Sequence, residues 1–123
     1  MKKWALLVSG IVEVSGAIIL YFNPHLIFQS DIPIQMIYKM YGITMFIVGL
    51  LCLITVRHYA DNTMTGHIFL LIMFFHAALT MMTYTADNTE IIQPIQASIT
   101  HGILFVMFLF AYLSDVKKEG DSK

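Results

Sequence analysis

Four long apolar stretches, separated by polar breaks, run along the chain at residues 4–22, 38–56, 66–86 and 94–114. A helix that crosses a bilayer needs about 20 mostly apolar residues, within a range of about 17–25, and all four qualify. The first holds one charged residue, Glu13, and the second one, Lys39, near its start. The third and fourth hold no Asp, Glu, Lys or Arg. None alternates with a period of two, and each is roughly twice the length of a barrel strand of about 10 residues. The pattern predicts an all-α fold, a four-transmembrane-helix bundle over residues 1–116, followed by a flexible charged tail over 117–123.

The breaks have local causes. Asn23-Pro24 ends the first run, because proline disfavours helical geometry in the residue before it. Residues 57–65 form a short polar loop with Asp61-Asn62 as its turn. Asp87 to Glu90 makes the third break, and Pro94 fits the first turn of the last helix, where a missing N–H costs nothing. Residues 24–37 are partly apolar (Leu26, Ile27, Phe28, Ile32, Ile34, Met36, Ile37), so this segment is expected along the membrane surface or folded back over the bundle.

Composition agrees with lipid as the solvent. Hydrophobic residues make up 58% and charged ones 12%, against about 45–50% and about 25% in a soluble domain. The net charge of −1 leaves no basic surface for nucleic acid. The single cysteine, Cys52, excludes an intrachain disulfide and a cysteine-pair metal site. Lys and Arg gather on the cytoplasmic side of membrane proteins. With the N-terminus inside, Lys2, Lys3, Arg57, Lys117, Lys118 and Lys123 all fall inside, and only Lys39 falls outside. The expected location is therefore the cell membrane, multi-pass, with N- and C-termini cytoplasmic. Met1-Lys2-Lys3 with Ser15-Gly16-Ala17 has the outline of a cleaved signal, but Glu13 interrupts its apolar run, which continues to Phe22.

The polar residues inside the spans carry the candidate chemistry. A carboxylate at the bilayer centre costs about 2.5–3.5 kcal/mol on insertion scales, so Glu13 is expected to face the bundle interior. Ser9, Glu13 and Gly16 share one helix face, and small residues there let another helix approach closely. His76, Thr80 and Thr83 share a face of the third helix, and Ser98, His101 and Gly102 a side of the fourth. Tyr38, Gly42 and Gly49 line the second helix, with Tyr41 and Thr44 nearby. At a rise of about 1.5 Å per residue, Glu13, His76 and His101 lie about 14, 12 and 10 Å from the outer ends of their helices. They can share one layer.

The expected ligand-binding or proton-handling residues are thus Glu13, His76, His101, Tyr41, Thr44, Thr80 and Lys39. Lys39 either reaches inward or extends to the outer interface. The bland alternative is a set of interhelical hydrogen bonds worth about 0.6–2 kcal/mol each. Imidazole and carboxylate suit several divalent ions, but no ligand-spacing motif is present, so neither a metal nor a cofactor is expected. A haem held by His76 and His101 is crowded by the short connection between their helices. No nucleophile motif, phosphate-binding loop or dinucleotide fingerprint occurs, so no catalytic residue is assigned.

The order Phe22-Asn23-Pro24, then Lys39-Met40-Tyr41-Gly42 with Gly49, then Phe75-His76, resembles the DoxX-like group of small four-helix bacterial membrane proteins. The resemblance covers nearly the whole chain and implies four membrane helices. The group usually has arginine where Lys39 stands. Its name comes from a quinone-linked oxidoreductase subunit, an activity the resemblance does not carry over. Glu13-Val14-Ser15-Gly16 is similar to the embedded-glutamate segment of small multidrug resistance transporters, over one helix only. The expected function is a non-enzymatic accessory or scaffold subunit, or a binder of a hydrophobic small molecule, with the bilayer, a membrane-protein partner or a second copy as partners. The alternatives are a proton-coupled transporter using Glu13 and a quinone-linked redox subunit using His76 and His101.

Overall fold

The computed structural model describes residues 1–23, 35–85 and 94–120. They form α1 (Lys2–Phe22), α2 (Gln35–Arg57), α3 (Thr63–Thr85) and α4 (Pro94–Gly120). Each of the four contains a stretch long and apolar enough to cross a membrane: Lys2–Phe22, Lys39–Arg57, Thr63–Tyr84 and Gln96–Val116. The molecule is all-helical over these residues, as a chain solvated by lipid must be when it cannot close a barrel.

The helix ends follow from particular residues. Asn23 leaves helical geometry at φ −138° while its N–H still donates to the Ile19 carbonyl at 2.8 Å. It precedes Pro24, which accounts for the stop. Asn62 caps α3, its Oδ1 accepting from the Thr65 N–H at 2.9 Å, a preferred N-cap arrangement. That cap starts α3 at Thr63, three residues ahead of the expected span.

Two boundaries differ from expectation. α2 begins at Gln35, so Met36 and Ile37 belong to the helix rather than to a surface segment. α4 continues past Ser114 to Gly120, taking the first residues of the expected frayed tail into the helix. No proline or glycine falls between Ser114 and Glu119 to break it. The Asp115 carboxylate pairs with Lys2 Nζ at 3.1 Å, which ties this stretch to the start of α1. Residues 24–34 and the expected break at Asp87–Glu90 lie outside the described residues.

The helices pack as two hairpins, α1 with α2 and α3 with α4, which meet chiefly along α1 and α4. The first hairpin is close because glycines face side chains across it: a Cβ on Gly49 would lie 3.0 Å from the Val14 nitrogen and 3.1 Å from Glu13 Cβ. Towards the chain ends the hairpins share an apolar core of Leu6, Cys52, Ile72, Met73 and a stacked pair, Phe69 and Phe108, with centroids 4.6 Å apart. Large apolar side chains such as Ile11, Ile47, Leu71, Phe74, Ile103 and Phe110 point outward. Exposed apolar side chains on every helix suit a lipid surround.

The ion pair of Lys2 with Asp115 sets the start of α1 beside the end of α4. Both therefore lie at one end of the bundle. Successive polar layers then follow along α1 away from that end, with Ser9 first and Glu13 one turn on.

Candidate functional site

Glu13, His76 and His101 come from three helices and converge at the seam between the hairpins. Glu13 and His76 are fully buried and His101 is 3% exposed. His76 Nδ1 and His101 Nδ1 are 3.1 Å apart. Glu13 Oε1 lies 3.7 Å from His76 Nδ1 and 3.5 Å from His101 Nδ1. Both carboxyl oxygens of Glu13 lack a hydrogen-bond partner among the described residues. A buried polar atom without a partner is uncommon and costly, and here two share one carboxyl group.

Each imidazole is held from behind. His76 Nε2 shares a hydrogen bond with Ser9 Oγ at 2.9 Å, and Ser9 Oγ in turn lies 3.7 Å from Cys52 Sγ. His101 Nε2 shares one with the Tyr41 hydroxyl at 3.1 Å. The result is a line from Ser9 through His76 and His101 to Tyr41, with the Glu13 carboxyl beside its middle. Phe75 sets its ring edge-on to His76 at 5.4 Å and to His101 at 6.3 Å, and Phe108 lies 5.6 Å from His76. These rings help wall the centre from solvent.

Of the seven expected residues, the structure brings four together: Glu13, His76, His101 and Tyr41. Thr80 is adjacent but turned back on its own helix, its hydroxyl donating to the His76 carbonyl at 2.8 Å. It serves the packing of α4 on α3: its Cγ2 would sit 3.6 Å from a Cβ on Gly102. Thr44 and Lys39 are placed elsewhere: Thr44 departs from the expectation, and Lys39 takes the outward of its two expected destinations. The Thr44 hydroxyl donates to the Met40 carbonyl on an exposed face. Lys39 is exposed, with Nζ 5.7 Å from the centre of the Tyr21 ring, so a cation–π contact at the helix end holds it away from the carboxylate.

Ser9 was legible only as a small neighbour of Glu13. Its hydrogen bond to His76 makes it part of the centre, and its position one turn before Glu13 was the available signal. The geometry also bears on the two cofactor readings. The imidazoles are in contact, with ring centroids 5.4 Å apart, which leaves no room for a macrocycle between them. Glu13, His76 and His101, by contrast, place one donor atom each within 4.8 Å of one another, a set capable of holding a metal ion.

These features define a four-helix protein of membrane-spanning character with a sealed carboxyl–imidazole centre. Comparison with models of known protein families, with characterised proteins and with solved structures finds no match to this chain.

Proposed function

We propose that this chain is a small multi-pass membrane protein that works by binding a cation, a proton or a metal ion, at Glu13, His76 and His101, with both termini on the cytoplasmic side. The observation that carries the reading is the fully buried Glu13 carboxyl, whose two oxygens have no donor while two imidazole nitrogens face it at 3.5 and 3.7 Å. Carboxylate oxygens accept only, and each neutral imidazole has one nitrogen that accepts. One carboxyl and two imidazole nitrogens drawn within 3.7 Å of one another favour a shared positive charge, a proton or a metal ion. Intramembrane ionisable groups are retained mainly for such work.

The same burial disfavours a lipid-sized or quinone-sized ligand at this point, since the centre is closed on all described sides. An accessory-subunit role remains compatible with it, the bound cation then governing how the two hairpins sit together. The DoxX-like order of motifs supports the four-span layout and leaves the ligand open. The orientation rests on the Lys and Arg distribution and on the adjacency of Lys2 and Asp115.

The test is infrared difference spectroscopy of the protein in lipid or detergent, with Glu13→Gln as the reference. A carboxyl band that shifts with pH or with an added divalent ion, and that is missing from Glu13→Gln, is the expected result. Glu13→Gln should express and keep its helicity, because glutamine fills the same space and keeps hydrogen-bonding capacity. A band that responds to neither cation, or collapse of the Glu13→Gln fold, overturns the reading and makes Glu13 a structural partner.

A further inference from the structure

We infer that the cation is a divalent transition metal of the zinc class, held by Glu13 Oε1, His76 Nδ1 and His101 Nδ1 in a four-coordinate arrangement; this rests on the cation-binding reading above. The argument is metric. Three atoms separated by 3.1, 3.5 and 3.7 Å lie on a circle whose radius, the product of the sides over four times the enclosed area, is about 2.0 Å, the length of a zinc bond to imidazole nitrogen or carboxylate oxygen. A point about 0.6 Å to one side of the plane of that circle is therefore about 2.1 Å from all three donors without moving any of them, and it leaves a fourth direction open.

The spread of the donors also selects a geometry. Tetrahedral zinc with bonds of about 2.0–2.1 Å sets its ligand atoms about 3.3–3.4 Å apart. Adjacent positions of an octahedron with similar bonds lie about 3.0 Å apart. The three distances here average about 3.4 Å, which favours the tetrahedron. Two imidazoles and a carboxylate suit zinc and its neighbours rather than magnesium or calcium, which want oxygen alone.

The outer hydrogen bonds fit the same assignment. A metal on Nδ1 requires the proton of each ring to sit on Nε2. Each Nε2 has an oxygen waiting to accept it: Ser9 Oγ for His76 and the Tyr41 hydroxyl for His101. Ser9 is then free to point its own hydrogen at Cys52 Sγ. Such outer partners fix the tautomer and orientation of metal-binding histidines. Without a metal, by contrast, an Nδ1–H of one ring serves the Nδ1 of the other, and the Glu13 oxygens keep no hydrogen-bond partner among the described residues. Ion binding also joins the hairpins, because Glu13 belongs to one and both histidines to the other. Three protein donors leave a fourth position for a water or a small ligand.

The experiment uses the full chain carrying an affinity tag without histidines, stripped with a chelator and titrated with Co²⁺ and then Zn²⁺. The expected outcome is one Co²⁺ per chain with the intense visible absorption of a tetrahedral site, displaced by Zn²⁺, and a rise in melting temperature on loading. Glu13→Gln should weaken Co²⁺ binding by at least about 100-fold, and Ser9→Ala by about 10–100-fold. His58→Ala with His67→Ala, which removes two exposed imidazoles, should leave binding unchanged. Absence of the absorption, equal binding in Glu13→Gln, or loss of binding in the His58 and His67 variant overturns the inference. If Co²⁺ and Zn²⁺ do not bind while the Glu13 infrared band still follows pH, the metal is wrong and the proton reading stands. If the band follows neither, both fall.

Discussion

Two acid–base contacts sit on α1, and they are opposites. At the end of the bundle Lys2 Nζ meets Asp115 Oδ2 at 3.1 Å, with the two side chains 17% and 24% exposed. Three turns further along, Glu13 meets two imidazoles at 3.5 and 3.7 Å with no exposure of its own. The rim pair is balanced, one cation to one anion, and water reaches both. The inner centre sets one carboxyl against two imidazoles, all three buried. Water can make good a mismatch at the rim, so such pairs contribute only about 0–1 kcal/mol. Deep in the bundle nothing mobile can do so, and removing one member of a buried pair costs about 3–5 kcal/mol. The difference teaches that the inner centre, unlike the rim, holds buried polar atoms with no hydrogen-bond partner among the described residues.

The largest expected effect tests that contrast directly. His101→Ala removes a buried ring and two hydrogen bonds, to His76 and to Tyr41. It leaves His76, Tyr41 and Glu13 facing a void. A loss of about 3 kcal/mol or more is expected, read from thermal unfolding in detergent. Tyr41→Phe, which takes only the outer hydrogen bond, should cost about 1 kcal/mol. If His101→Ala costs no more than removal of the rim pair, the inner centre is not the energetic keystone this comparison makes it.

Much of this was legible in the sequence, and what was not has a physical reason. Run length alone located four spans, because lipid demands about 20 apolar residues per crossing. The fixed rise per residue brought Glu13, His76 and His101 to a common depth. Depth does not give rotation, however. Thr44 lies only three residues from Tyr41, yet Tyr41 reaches His101 and Thr44 faces outward. Lys39 had two destinations, and the choice was made by the Tyr21 ring on another helix. The donor set itself shows no spacing motif because its members come from three helices. A motif of fixed spacing can reveal only ligands that share a short segment.

A second, smaller effect sharpens the comparison from the packing side. Gly49 stands directly behind Glu13: an added Cβ would lie 2.8 Å from Val14 Cγ2, 3.0 Å from the Val14 nitrogen and 3.1 Å from Glu13 Cβ. The nitrogen belongs to a helix backbone and cannot swing aside. Gly49→Ala should therefore push α1 from α2 and cost about 1–3 kcal/mol, and it should weaken cation binding by displacing Glu13. Gly42, on the same helix, is the control. Its Cβ would meet the Ala17 carbonyl oxygen and Leu20 Cβ at 3.5 Å, an ordinary contact, so Gly42→Ala should be neutral or gain up to about 1 kcal/mol from helix propensity. Equal unfolding temperatures for the two variants would mean that α1 yields more easily than its glycines suggest.

The smallest expected effect belongs to the rim. Lys2→Met removes the charge that meets Asp115 but keeps an apolar stem near Phe69, whose ring centre lies 6.0 Å from Lys2 Nζ. The loss should be at most about 1 kcal/mol. Because both charges reach water, ions in solution screen them, and the difference between Lys2→Met and the parent should shrink as salt is raised. The difference between His101→Ala and the parent should not, since salt does not enter the sealed centre. Unfolding both variants across a salt series therefore separates the two contacts by their access to solvent. A rim difference that persisted undiminished in high salt would show that Lys2 acts through packing on Phe69 rather than through its charge.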